Sequence, residues 1–307
     1  MERIKEALDR VKAEREASGA TSSQSTPPQG ANSGGGDTAA PAHEASAASQ
    51  TPVQPPESAA SSPSAADVAL AGREQVSGRE VVQCDSRHLE RHRIISHQKH
   101  NPNSGAFDLL RTQVLHKMGR NGWNTIGVVS PAPGVGKTVV AINLALSIAQ
   151  LQDRTSMLLD FDLRRPSVLK YLGLNRETSL NEVLTDQCDF AEALVSPLLP
   201  SLSVVAASKP VPNSAELLSS KRLSVLMDEV KGRYPDRVVV VDLPPILNAD
   251  DALAVMPNLD CVLLVVGSGM SGKRELEDTL RHLRATNLLG TVLNKAQGVS
   301  EAYSYGY

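Results

Sequence analysis

Aromatic side chains are scarce in this chain of 307 residues. Phe, Trp and Tyr together make up 3% of it, and none precedes Phe107. A stretch built mainly from Ala, Ser, Pro, Gly, Gln and charged residues has too little apolar surface to fold alone, so the packed core is expected after that point. Cysteine is also rare. Cys84, Cys188 and Cys261 are odd in number, far apart and without a CxxC pair, which excludes a disulfide framework and suits a reducing compartment. No dense Lys/Arg run occurs, and 31 basic against 34 acidic residues give a net charge of −3, so nucleic acid is not an expected partner. Apolar runs such as Val262 to Val266 fall far short of the roughly 20 residues of a membrane span, and the densely charged opening Met1 to Glu16 is not a secretory signal. A cytoplasmic protein is expected.

Four regions follow from composition and periodicity. Residues 1–16 place Ile4, Leu8 and Val11 at helical spacing among alternating charges, which predicts a short amphipathic helix. Residues 17–100 read as a flexible, low-complexity linker, so the N-terminal region is expected to be disordered. Within it Cys84, His88 and His92 follow at i,i+4 spacing, but Arg87, Arg91 and Arg93 disfavour a cation there, and a solvated connecting helix is the preferred reading. Residues 101–295 alternate strand and helix signals. Strands are predicted over Thr125 to Ser130, Ser156 to Asp162, Leu202 to Ala207, Arg237 to Leu243, Cys261 to Gly267 and Leu289 to Asn294. Most are unbroken Val/Ile/Leu runs, as in strands buried on both faces. The fold class is therefore α/β: a doubly wound, mostly parallel sheet. Residues 296–307 form a tail without core pattern, and three of the five tyrosines, Tyr303, Tyr305 and Tyr307, lie in its last five positions.

The chemistry lies at the strand ends. The first strand runs into Ser130-Pro-Ala-Pro-Gly-Val-Gly-Lys-Thr138 and then an apolar helix, the layout of a phosphate-binding loop. Pro133, Gly134, Val135, Gly136, Lys137, Thr138 and Val139 are the expected nucleotide-binding residues. Lys137 would meet the β and γ phosphates, and Thr138 would offer a hydroxyl to Mg²⁺. Asp160 and Asp162 share one side of the second strand's carboxyl end, and Val238 to Asp242 has the form of a Walker B motif. Thr138, Asp160 and Asp242 are the expected Mg²⁺ ligands, with Lys137, Asp160, Asp162 and Arg164 as catalytic residues and Asn294 placed at the adenine.

The segment from about Ser104 to Tyr307 resembles the bacterial tyrosine kinases of capsule and exopolysaccharide clusters. The resemblance rests on the Ser130-to-Thr138 loop, Asp160-x-Asp162-x-Arg164-Arg-Pro-Ser167, Pro212 to Ser219, Asp242-x-Pro-Pro245 with Asp250-Asp-Ala252, and the tyrosine tail. It implies transfer of the ATP γ-phosphoryl group, with Mg²⁺, to Tyr303, Tyr305 and Tyr307 of a neighbouring copy. It also implies self-association and recruitment to the inner face of the membrane by a separate membrane-embedded polysaccharide co-polymerase. The related cell-division and partition ATPases carry a signature lysine where this chain has Ala132. A positioning ATPase and a nucleotide-binding pseudokinase adaptor are the alternatives. The family's oligomerising motif Glu-x-x-Arg-x-x-Arg falls on Gly105, Asp108 and Arg111, of which Arg111 alone is kept.

Overall fold

The computed structural model describes residues 80–98, 101, 103–233, 236–248 and 250–296. The helix expected at 1–16, most of the tether and all three tail tyrosines lie outside the described residues.

Six strands form one parallel sheet: β2 (Thr125–Val129), β3 (Thr155–Asp160), β5 (Leu202–Ala206), β6 (Arg237–Asp242), β7 (Cys261–Gly267) and β8 (Leu288–Asn294). Their order is β5-β3-β6-β2-β7-β8, with every pairing parallel. Continuous apolar runs suit these strands because both faces are covered. Leu158, Val238, Val240, Leu263 and Val265 join the core on one face, while Met157, Leu159, Val239, Val241, Val262 and Leu264 join that on the other. The two edges grow in opposite directions from β2, leaving a crevice at the carboxyl ends of the central strands, where open α/β sheets bind ligands.

Helix α2 (Ser104–Asn121) precedes β2, and α3 (Lys137–Ala149) follows it. Of α3's residues only Val139 escapes full burial. A helix apolar all round needs covering on every side. The sheet, α2 and residues 168–172 supply part of that cover, and residues 80–98 add to it.

Residues 80–98 therefore depart from the expected linker. They are packed against the domain. The short β1 (Val81–Val82) pairs with β4 (Ser196–Pro197), α1 (Ser86–Arg91) follows, and Leu89 and Ile94 are completely buried in the α3-side core. The side chain of Asn143, itself wholly buried in α3, clamps the turn that follows. Its Oδ1 accepts from the N–H groups of Ile95 (2.8 Å) and Ser96 (2.9 Å), and its Nδ2 donates to the Arg93 carbonyl (2.9 Å). A buried carboxamide is costly without such partners, so the clamp accounts for a polar residue inside α3. The His88 and His92 rings pack 4.3 Å apart, and His88 Nε2 hydrogen-bonds the Lys170 carbonyl, so they join a packed contact and not a solvated helix.

Past β3 come α4 (Val168–Leu172), α5 (Leu180–Leu184), α6 (Phe190–Ala193), α7 (Ser214–Leu218), α8 (Lys221–Arg233), α9 (Asp251–Val255) and α10 (Lys273–His282). Arg111 does not face outward as an assembly contact would. Its guanidinium bonds Asp108 (3.0 Å) and the carbonyl of Ser147 (3.0 Å), fixing α2 on α3. No helix among the described residues is long and apolar enough to cross a membrane.

Candidate active site

The loop between β2 and α3 can turn because Gly134 and Gly136 adopt φ of 79° and 96°, values that a side chain opposes. At Gly136 space enforces the same choice, since a Cβ there would lie 2.3 Å from Asn294 Nδ2. The loop thus presents bare backbone, with the amides of residues 134–138 leading into the N-terminus of α3, an arrangement suited to phosphate. Pro133 has no N–H to offer and Val135 buries its side chain, so both contribute shape.

Lys137 opens α3 and turns back towards the strand ends. Its Nζ lies 2.7 Å from Asp162 and 3.4 Å from Asp242. Burial opposes its charge, but the carboxylates of Asp242 and Asp162 outweigh that and raise its pKa above the ordinary lysine value. Thr138 Oγ1 donates to Asp242 Oδ2 at 2.6 Å, so a hydroxyl and a carboxylate oxygen sit side by side. Hard oxygen donors of this kind suit Mg²⁺, which keeps several waters and needs few protein ligands. Among the described residues no three His, Cys, Asp or Glu side chains converge as a metal-binding group.

Sheet register sets Asp160 directly beside Asp242. Asp160, expected among the metal ligands, is held by backbone amides. Its Oδ1 accepts from the Asp162 N–H, and its Oδ2 accepts from those of Ser167 and Val168, each at 3.1 Å, so it shapes the turn into α4. Burial first, then the Asp242 carboxylate, push its pKa up to about 8, against the pull of Lys137 and the Val168 N–H. Asp242 is raised as well, chiefly by burial. Ser167 Oγ reaches Thr138 Oγ1 at 3.3 Å, a neighbour visible in the sequence only as the end of a motif.

Arg164 and Asn294 both have partners within the chain. Arg164 Nη2 bonds Asp251 (2.9 Å) and Asp250 (3.2 Å), and its Nε bonds Ser214 Oγ (3.2 Å). It ties together the three segments at 160–167, 212–219 and 250–252. Asn294 Nδ2 donates to the Val135 carbonyl (2.8 Å) and its Oδ1 accepts from Lys295 N (2.9 Å), so its carboxamide braces the loop. Beside it Lys295 Nζ donates to the Gly134 carbonyl at 2.6 Å. A cavity of about 530 Å³ opens here, lined by Arg93, Gly134, Gly136, Val139, Tyr171, Lys295 and Ala296. Arg93, Tyr171 and Lys295 had no sequence signal, because they meet only through the packing of residues 80–98.

This geometry is that of a P-loop NTPase, a fold that implies nucleotide binding. A family profile for ParA, described as NUBPL iron-transfer P-loop NTPase, matches residues 122–271. The tyrosine-protein kinase YwqD of Bacillus subtilis is 30% identical over 221 residues, which cover 71% of this chain and 92% of YwqD. The putative tyrosine-protein kinase EpsB of Ralstonia solanacearum is 31% identical over 67% of this chain, but the match spans only 27% of EpsB. Among solved structures, the kinase domain of the Escherichia coli tyrosine kinase ETK superposes with a TM-score of 0.59 at 30% identity, covering 66% of this chain and 80% of that domain. The chain belongs to the bacterial tyrosine-protein kinase family.

Proposed function

We propose that the chain is an ATP-dependent protein-tyrosine kinase that phosphorylates Tyr303, Tyr305 and Tyr307 of a neighbouring copy and so regulates synthesis and export of an exopolysaccharide or capsule. The observation that carries this is the meeting of Lys137, Thr138, Asp162 and Asp242 at the strand ends of a chain in this family. ATP with Mg²⁺ supplies the phosphoryl group and the divalent charge that neutralises it. The loop amides hold the phosphates, and Lys137 exchanges its carboxylate partners for phosphate oxygens, so that positioning and charge neutralisation do most of the work. Thr138 and Asp242 hold the metal. Asp162 receives the phenolic proton: its carboxylate contacts are Lys137 and the Arg165 N–H, whereas Asp160 has both oxygens committed to backbone amides. Arg164 acts through its acidic pair as a positioning residue. A membrane-embedded polysaccharide co-polymerase is the proposed activator and recruits the chain to the inner face of the membrane.

The ParA profile favours a second reading, a positioning ATPase that transfers the phosphoryl group to water. Incubation of the full chain with ATP and Mg²⁺, followed by mass spectrometry, separates the two. Phosphate on the tail tyrosines supports the kinase. Released phosphate without phosphotyrosine supports the ATPase, and nucleotide binding with neither product supports an adaptor.

A further inference from the structure

Four non-glycine residues have a positive φ among the described residues, and two of them flank one cavity: Arg93 at 60° and Lys295 at 58°. A side chain in this region is unfavourable by itself and persists only where its surroundings hold it. At Arg93 the Asn143 clamp does so, gripping the Arg93 carbonyl and the amides of Ile95 and Ser96 from within the helix that follows the loop. Arg93 is therefore fixed at the lip of the cavity with an exposed side chain, and no ion pair or hydrogen bond engages its guanidinium among the described residues. Tyr171 lines the same cavity, and its ring packs 5.1 Å from that of His92, the residue before Arg93.

Gly134, Gly136 and Val139 place the cavity directly beside the phosphate-binding loop. Lys137, Asp162 and Asp242 do not line it. Its volume of about 530 Å³ falls within the roughly 300–1,000 Å³ of small-molecule sites. A planar cation and an aromatic ring on its walls suit a flat heterocycle, which can stack on both.

Resting on the nucleotide-binding reading above, we propose that residues 80–98 form part of the nucleotide site and that Arg93 is a binding residue for the nucleoside portion, the base stacking between its guanidinium and Tyr171. The strap, and not the sheet alone, then sets nucleotide affinity.

Arg93→Gly tests this because the two effects have opposite signs. Glycine relieves the left-handed backbone, so the urea midpoint should stay level or rise. The guanidinium is lost, so ATP affinity of the full chain, measured by calorimetry, should fall about tenfold. Inorganic tripolyphosphate, which lacks a nucleoside, should bind wild type and variant equally, and Arg93→Lys should recover only part of the ATP affinity. ATP binding unchanged in Arg93→Gly overturns the proposal. An equal loss for ATP and tripolyphosphate also overturns it, by making Arg93 a phosphate ligand. A folded wild type that binds neither removes the nucleotide reading itself, and the proposal with it.

Discussion

Lys137 is the residue on which the site's charge balance turns. Three carboxylates surround it, two of them completely buried, and it is the cation that contacts Asp162 and Asp242. Lys137→Met removes a charge-assisted partner for phosphate, so ATP affinity should drop roughly a hundredfold by calorimetry, and phosphotyrosine should disappear. Wild-type phosphotyrosine in that variant would contradict the assigned site. Asp160 gives a prediction of a different kind. Its folded pKa of about 8 lies above the ordinary 3.8, so the stability linked to its proton is fully present below about pH 4 and is lost as pH rises through about 8. The urea midpoint of the ligand-free protein should fall between about pH 5 and pH 8.5, and Asp160→Asn should flatten that slope. An equal slope in both proteins would place the titration elsewhere. Lys137, Thr138, Asp162 and Asp242 could be found from sequence because loop and strand-end spacing encodes them. The partners of Asn294 and Arg164 within the chain could not be read there, since only tertiary packing decides which way a side chain at a strand end turns.

At the scale of elements, the sheet was legible and the strap was not. A strand buried on both faces needs a continuous apolar run, and Cys261–Gly267 shows one with boundaries that match the structure. Residues 80–98 have no such signature. Their helix has six residues with one buried, Leu89, and Ile94 follows in a turn, so no periodicity can develop. The need for cover lay instead in α3, whose apolar surface runs all the way round. A core confined to the region after Phe107 predicts that residues 103–307 fold as well as residues 80–307; the packing predicts the reverse. Leu89 and Ile94 each contribute about 1.5–3 kcal/mol by burial, and Asn143 without its clamp costs about 1–3 kcal/mol more. Residues 103–307 should therefore be less stable by roughly 5 kcal/mol, or fail to fold, when urea midpoints of the two fragments are compared. Equal midpoints would show that the strap is only laid on the surface.

For the whole molecule, the open question is which copy's tail enters which site. The chain leaves β8 beside its own loop, where Lys295 bonds the Gly134 carbonyl. Tyr303 lies eight residues further on, a contour of at most about 28 Å, so proximity alone does not favour transfer between copies over transfer within one. Charge argues that whichever tail enters must leave again. Each phosphate adds about −1.5 to −2, and the carboxylates of Asp162 and Asp242 already stand in the site, so a modified tail is repelled from the place where it was modified. If transfer runs between copies, this repulsion should separate them, and assembly should alternate with phosphorylation. Two crippled proteins decide the matter. Lys137→Met keeps its tyrosines but has no activity of its own, and a triple Tyr303, Tyr305 and Tyr307→Phe variant keeps the site but has no acceptors in its tail. Mixed with ATP and Mg²⁺, they should place phosphate on the tail of the Lys137→Met chain, faster as total protein concentration rises. Light scattering on phosphorylated wild type should then report a smaller species than before reaction. A bare tail in the mixture, beside a wild-type rate independent of concentration, would mean that each chain phosphorylates itself.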